Sequence, residues 1–140
     1  MRRNNRGFTL VELMVVMIII ALLAGFVAPK FFKRVDESRR TAAKNQISAF
    51  ESALDMFYID TGRYPTNEEG LEALVKKPEN IKNWKGPYLK KGVPKDPWGN
   101  DYVYKCPGQD GRDYDIISYG ADGAEGGEGN NADITSWQQE

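Results

Sequence analysis

The chain has 140 residues and a formal net charge of −1, which suits one domain of ordinary size and gives no charge excess pointing to a nucleic-acid partner. It contains no histidine and one cysteine, Cys106. This composition excludes histidine-dependent nucleophilic catalysis, the usual structural zinc patterns and an internal disulfide. Cys106 stands in the alternating segment "YVYKCP", which predicts a half-buried strand residue rather than a reactive thiol.

The N-terminal segment has the most unusual composition. The 21 residues from Phe8 to Ala28 carry a single charge, Glu12, and follow a short leader that contains three arginines. As a helix this run is about 31 Å long, close to the hydrocarbon thickness of a bilayer. The leader arginines favour a cytoplasmic N-terminus. Because the run is too long for an ordinary cleaved signal peptide, the sequence predicts a retained membrane helix.

Glu12 is the feature that a plain membrane anchor does not explain. A carboxylate in the hydrocarbon region costs up to about 2.5 to 3.5 kcal/mol, and the apolar run supplies no opposite charge. We therefore expect Glu12 to have no partner in its own segment and to be matched by a positive group brought from outside. The alternative is a simple anchor in which an interfacial Glu12 is incidental.

The segment "RGFTLVE" resembles the class III signal of type IV pilins and pseudopilins. The resemblance implies that a prepilin peptidase cuts between Gly7 and Phe8, removes residues 1–7 as a leader and methylates the new terminus at Phe8. It also implies that residues 8–29 form the transmembrane and assembly helix. Glu12 would then pair with the terminal amine of a neighbouring subunit during filament assembly.

A second helical region follows the apolar run. Pro29 lacks an N–H and is predicted to break or kink the helix. Helical spacing then returns in one apolar stripe, which we expect to pack on the chain's own domain. The stripe consists of Ala43, Ile47, Phe50, Leu54 and Phe57. Gly62 is a predicted C-terminal cap, and Pro65 prevents the helix from continuing.

The next segments predict a short helix and then a β structure rich in loops. Thr66 and Glu69 match a capping box that opens a helix ending at Pro78. "DPWG" is typical of a tight turn, and "DYVYKC" and "YDIISYG" alternate as two strands joined by the turn residues of "PGQDGRD". We interpret the tyrosines and tryptophans here as core and sheet cover rather than as a sugar-binding platform.

The C-terminal stretch "YGADGAEGGEGNNADITSW" combines five glycines with four acidic residues. Glycines allow tight bends, and carboxylate and carbonyl oxygens are the ligands that calcium prefers. The acidic residues are Asp122, Glu125, Glu128 and Asp133. Their spacing is not that of an EF-hand, and "GEGNNA" does not have the context of a dinucleotide-binding motif. From the residues alone, a calcium site and a flexible acidic loop are both open.

Six further segments carry a resemblance that covers essentially the whole chain. They are, in order, "TGRYPT", "GLEAL", "WKGPYL", "PKDPWGNDYVY", "YDIISYGADG" and "ADITSW". With the pilin-like start they make the chain similar to the major pseudopilins of type II secretion systems. The resemblance implies a calcium-binding C-terminal loop, with ligands from the side chains of Asp122 and Asp133 and the carbonyls of Tyr119 and Ala124.

The implied fold class is α+β and pilin-like. A long N-terminal helix, membrane-spanning in its first half, would pack on a small antiparallel β-sheet that carries the calcium loop. Residues 30–140 would form a periplasmic globular domain. The protein would be single-pass in the bacterial inner membrane, with its N-terminus cytoplasmic before cleavage.

The implied function is that of a structural subunit and not of an enzyme. Copies of the chain would polymerise into a helical pseudopilus that helps to drive the export of folded proteins across the outer membrane. The implied partners are other copies of the chain, minor pseudopilins, the inner-membrane platform of the secretion system and the prepilin peptidase.

Two other functions stay open at this point. One is a type IV pilin or a minor pseudopilin, although pilins usually carry a C-terminal disulfide loop and a minor subunit would lack the full calcium-loop pattern. The other is a membrane-anchored, calcium-dependent binding module or hydrolase, with Glu68 and Glu69 as a carboxylate pair. The missing histidine and the lack of a convincing nucleophile argue against the hydrolase.

Overall fold

A computed structural model describes residues 6–138, in which one long helix precedes a region of loops and short strands. The helix, α1, is Leu10–Thr61, and the strands are β1 at Val103–Lys105, β2 at Asp115–Ser118 and β3 at Ile134–Thr135. Short 3₁₀ helices lie at Leu71–Leu74, Gln109–Gly111, Gly120–Asp122 and Gly129–Asn131. The chain divides into two compact units, with the boundary after Glu37. The predicted division between residues 29 and 30 is a membrane boundary and stays a prediction.

Among the residues that the structure describes, the N-terminal unit buries none of its large apolar side chains. Every described side chain up to Arg34 is exposed, and within the part of the chain that the structure describes, α1 is the helix that is long and apolar enough to cross a membrane. An apolar helix without a polar face is stable only in lipid or against other protein. The surface of this apolar helix therefore requires lipid or another protein chain to cover it.

The helix runs through Pro29 without interruption, so a break at this residue, one of the two predicted outcomes, is wrong, and a kink there stays a prediction. Proline removes one backbone hydrogen bond, which ends a helix only where the following residues favour another conformation. The segment after Pro29 keeps helical spacing as far as Thr61, and helix propagation is cooperative. The flanking helical turns thus carry α1 across this position.

The C-terminal unit has the predicted core. All five members of the apolar stripe on α1 are buried, and Ala53 joins them. They face the sheet and the loops that precede it; the ring of Phe50 meets the ring of Tyr102 edge-on at 5.0 Å between centroids. Ile116 and Ile134 bring β2 and β3 into the same cluster. The last part of α1 is therefore packed on a small antiparallel sheet, as expected.

The end of α1 and the following turn obey the predicted signals, but the next helix is shorter than expected. Gly62 has φ +80° and donates its N–H to the Tyr58 carbonyl at 2.7 Å, which ends the helix. The capping box at Thr66 and Glu69 is present, with bonds of 2.9 and 3.3 Å. Only one 3₁₀ turn follows, because Gly70 at φ +58° stops an α-helix from continuing.

The sheet has the order β1-β2-β3, and both pairs are antiparallel. Val103 pairs with Ile117, and Ser118 pairs with Ile134. The two predicted strands are confirmed, whereas β3 was not foreseen. The half-burial predicted for Cys106 is confirmed, but this residue lies just after β1 because its N–H bonds the Asn67 side chain instead of a strand, at 2.7 Å.

Candidate functional site

The predicted cleavage site lies in a non-helical segment directly before α1. Gly7 and Phe8 are both exposed, and the Phe8 side chain is 90% exposed. A Cβ at Gly7 would meet no other heavy atom within 4 Å. Residues 1–5 of the predicted leader lie outside the described part of the chain. The peptide bond between Gly7 and Phe8 is thus exposed and outside the helix, where a peptidase can reach it.

Glu12 has a partner in its own segment, so the expectation of an unpaired carboxylate is wrong. Thr9 donates its backbone N–H to Glu12 Oε2 at 3.0 Å, and the Glu12 N–H bonds Thr9 Oγ1 at 3.1 Å. The Leu13 N–H reaches the Thr9 carbonyl at 3.1 Å, which begins the helix. This is a capping box, and the signal for it, Thr-x-x-Glu in "TLVE", was present in the sequence.

The capping role does not exhaust the acceptor capacity of Glu12. An ionised carboxylate offers about four lone-pair sites, and the Thr9 N–H occupies one. The side chain is also exposed. Glu12 can therefore accept a bond from a cationic group outside the chain while it caps its own helix.

The C-terminal acidic loop is folded back on itself. Its two 3₁₀ helices, Gly120–Asp122 and Gly129–Asn131, contact each other. Asp122 is exposed and accepts a bond from the Ala124 N–H at 3.1 Å, whereas Asp133 is half-buried and accepts one from the Gly126 N–H at 3.0 Å. Both predicted carboxylate ligands thus shape the loop through backbone bonds.

One carboxylate oxygen in this loop is buried without a partner. Asp133 Oδ1 has no hydrogen-bond donor, while its Oδ2 is bonded. Burying a carboxylate oxygen without a donor is costly, so a cation at this oxygen would remove the penalty. This observation makes Asp133 the strongest candidate ligand of the four.

Backbone carbonyls converge near the start of the loop. Gly120 is buried with φ +72°, and a Cβ there would lie 2.8 Å from the Asn130 carbonyl oxygen and 2.9 Å from that of Ala132. Arg40 on α1 donates to the Ala132 carbonyl at 2.8 Å. Glycine is required at this position because any side chain would collide with the backbone of residues 130–132.

The chemistry of the donors fits calcium and not zinc. Across residues 6–138 no three His, Cys, Asp or Glu side chains come together as a metal cluster. Two carboxylates supplemented by carbonyls are a hard-oxygen set of the kind that calcium accepts. Tyr119 is half-buried and Ala124 is exposed. That their carbonyls bind a metal stays a prediction.

Glu69 forms a structural ion pair, which argues against Glu68 and Glu69 as the carboxylate pair of a hydrolase. The Arg63 guanidinium donates two hydrogen bonds to the Glu69 carboxylate, at 2.7 and 2.8 Å. This ion pair, together with the Thr66 N–H, holds the pKa of Glu69 below its usual range against the opposing effect of burial. A general acid needs a raised pKa. Glu69 has the opposite property.

Two family models together match nearly the whole chain. Residues 30–137 match the family described as "Type II secretion system (T2SS), protein G". The chain belongs to the type II secretion system protein G family. Residues 2–28 match the prokaryotic N-terminal methylation motif, which spans the predicted cleavage site and Glu12.

Relatives of the protein G family cover nearly the whole chain. The type II secretion system core protein G of Pseudomonas aeruginosa is 51% identical over 140 residues, covering 97% of each chain. That of Vibrio cholerae is 49% identical, covering 96% of this chain and 93% of its own. A solved structure of the major pseudopilin of enterohaemorrhagic Escherichia coli is 41% identical with TM-score 0.64, covering 74% of this chain and 90% of its own.

Proposed function

We propose that the chain is the major structural subunit of a type II secretion pseudopilus, and that it acts by polymerising rather than as an enzyme. Copies would form a helical filament that helps to drive export of folded proteins across the outer membrane. Membership of the protein G family and the likeness to a solved major pseudopilin support this role. The observation that carries it is the exposed apolar helix of the N-terminal unit, which needs a protein or lipid surface that its own unit lacks.

The proposed location follows from the same helix. The chain would span the bacterial inner membrane once, with its N-terminus cytoplasmic before cleavage and residues 30–140 in the periplasm. The methylation motif and the apolar helix support membrane anchoring. The proposed partners are further copies of the chain, minor pseudopilins, the inner-membrane platform and the prepilin peptidase.

Glu12 would link successive copies. Cleavage after Gly7 leaves a positive amine on Phe8, and a carboxylate in a low-dielectric surrounding attracts such a charge strongly. The spare acceptor capacity of Glu12 supports a bond to the amine of the next copy. A contact between unlike ends of identical subunits propagates without closing, as a filament requires.

Calcium would order the acidic loop. Asp133, with its unpartnered buried oxygen, and Asp122 would bind the ion with side chains, and Tyr119 and Ala124 with carbonyls. The unliganded, glycine-rich loop has many conformations to lose, so an ion that binds only its folded form stabilises the domain.

The filament role is tested by producing the chain in a type II secretion strain that lacks its own protein G. We expect mass spectrometry to find Phe8 as a methylated N-terminus, and cross-linking to recover filaments along with restored secretion. Gly7→Val is expected to give an uncleaved precursor without filaments. An intact Met1 terminus in a strain with an active prepilin peptidase would contradict the proposal.

The calcium role is tested by calorimetric melting of the full chain in detergent, with calcium and with chelator. At about a hundred times Kd the ion should stabilise the fold by about 2.7 kcal/mol. Asp133→Asn should remove most of this gain, and magnesium should substitute poorly because it demands tighter octahedral geometry. Asp101→Asn, at an exposed residue that forms a surface ion pair with Lys95 at 2.9 Å, is the matched control. Identical melting curves with calcium and with chelator would contradict the proposed calcium site.

A further inference from the structure

A buried carboxylate organises the turn before β1. Asp96 is 4% exposed, and its Oδ1 accepts the backbone N–H groups of Trp98 at 3.0 Å and Asn100 at 2.8 Å. The Gly99 N–H closes the same turn on the Asp96 carbonyl at 3.0 Å. Bonds from backbone N–H groups to an ionised acceptor are among the stronger ones in proteins. This turn is therefore a rigid element.

The second oxygen of Asp96 reaches across to β2. Ser118, the last residue of that strand, is fully buried and donates its hydroxyl to Asp96 Oδ2 at 2.8 Å. The same hydroxyl oxygen accepts the Gly120 N–H at 3.4 Å. Ser118 also pairs with Ile134, the residue after Asp133. Ser118 thus contacts both ends of the acidic loop, the start through its hydroxyl and the end through its backbone.

The turn meets the loop at a second point. The side-chain amide of Asn100 lies 3.0 to 3.3 Å from where a Cβ of Gly123 would be. Gly123 has φ +65° and directly follows Asp122. The loop therefore rests against the turn beside one candidate ligand, and next to the other its end pairs with the Ser118 backbone.

We infer that Asp96 and Ser118 are positioning residues that hold the loop of residues 119–133 in its ion-binding conformation before the ion arrives. The inference rests on the proposed calcium site. We assign Asp96 a positioning role and no ligand role, because it is buried and its two oxygens already accept bonds from Trp98, Asn100 and Ser118. It acts through Ser118 by reducing the conformational freedom that the ion must otherwise remove, which strengthens binding by preorganisation.

The test is a calcium titration of the full chain in detergent, by calorimetry and by terbium luminescence. Ser118→Ala removes the hydroxyl bonds to Asp96 Oδ2 and to the Gly120 N–H but leaves the backbone pairing with Ile134. We expect calcium Kd to rise about tenfold, the effect of losing the hydrogen bond to the charged Asp96. Asp96→Asn keeps the Oδ1 acceptor for the turn but loses the charge, and a smaller rise is expected. The matched control is Ser136→Ala, since the Ser136 hydroxyl oxygen accepts the Ile116 N–H on the same strand at 3.1 Å.

The control separates positioning from general stability. Ser136→Ala is expected to lower the calcium-free melting temperature to a similar extent as Ser118→Ala, yet to leave Kd within about twofold of the unchanged chain. Equal Kd changes in the two serine variants, or unchanged Kd in Ser118→Ala, would overturn the positioning role alone. If Ser118→Ala does not fold, Asp96→Asn decides by the same criterion. No calcium binding by the unchanged chain would overturn the calcium site and this inference with it.

Discussion

The two parts of α1 use apolar side chains in opposite ways. From Leu10 to Phe32 the large apolar residues are exposed, whereas the stripe from Ala43 to Phe57 is buried. The sequence marks the difference by its pattern, since the first part is apolar all round and the second has one apolar face. The first part is therefore suited to surfaces from outside the chain, and the second to its own core.

The two capping boxes differ in the same sense. Both consist of a threonine and a glutamate three residues later, at Thr9 and Glu12 and at Thr66 and Glu69. Arg63 neutralises Glu69 within its own unit, while Glu12 has a backbone partner and spare acceptor capacity. The same local motif thus leaves one charge satisfied by the fold and the other available for a partner.

The largest effect is expected from substitutions that test the different roles of Glu12 and Glu69. Glu12→Gln retains an oxygen that can cap Thr9 but removes the charge. We expect filament recovery by cross-linking to fall at least about tenfold, because a neutral amide cannot match the Phe8 amine. Glu69→Gln is the matched control and should lower stability while filaments still form. Normal assembly by Glu12→Gln would show that Glu12 serves only as a cap.

The second prediction sharpens the contrast between the two parts of α1. Phe50→Ala leaves a cavity in the core, and the free energy of unfolding of the globular unit should fall by about 3 to 5 kcal/mol in urea titrations of the full chain in detergent. Ile19→Ala, in the exposed part, should leave this value within about 0.5 kcal/mol. Comparable losses from both variants would mean that the exposed part belongs to the same folding unit.

The third prediction concerns acid stability, which only the globular unit should show. The buried Asp115 carboxylate accepts hydrogen bonds from Arg112, the shorter at 2.6 Å, and one from the Gln109 N–H. These bonds hold the pKa of Asp115 below its usual range, against the opposing effect of burial. The unfolded pKa is about 3.9, so this stabilisation is complete above that pH and is lost as pH falls through the lower, folded pKa.

Asp115→Asn is therefore expected to cost about 2 to 3 kcal/mol at pH 7 and to flatten the fall in melting temperature between about pH 5 and pH 2. A remaining fall is expected from Glu69, whose pKa is also lowered. An unchanged acid profile in the variant would show that Asp115 does not contribute to it.

The smallest effect compares the two capping threonines. Thr66→Ala removes the hydroxyl that accepts the Glu69 N–H, and the globular unit should lose about 1 kcal/mol. Thr9→Ala removes the equivalent bond before α1, and its cost should not register in the unfolding of the globular unit. Urea titration measures both. A similar loss from Thr9→Ala would mean that the start of α1 and the globular unit unfold together.

The sequence by itself determined the features that depend on near neighbours. The apolar run at Phe8, the buried stripe around Phe50, the cap at Gly62 and the turn at Asp96 are each encoded within a few residues, because helix period, capping and turn chemistry are local. The family motifs at both ends followed from the same short segments. The locally encoded cap at Thr9 was overlooked although its signal was present.

Only the tertiary structure decided the features that join distant residues. The strand β3 has two residues, too few for a period, and exists because β2 pairs with it. The bond from Ser118 to Asp96 spans 22 positions, and the unpartnered oxygen of Asp133 is defined by burial alone. The physical reason is that hydrogen bonding and burial across the fold depend on which segments meet in space, which no local pattern records.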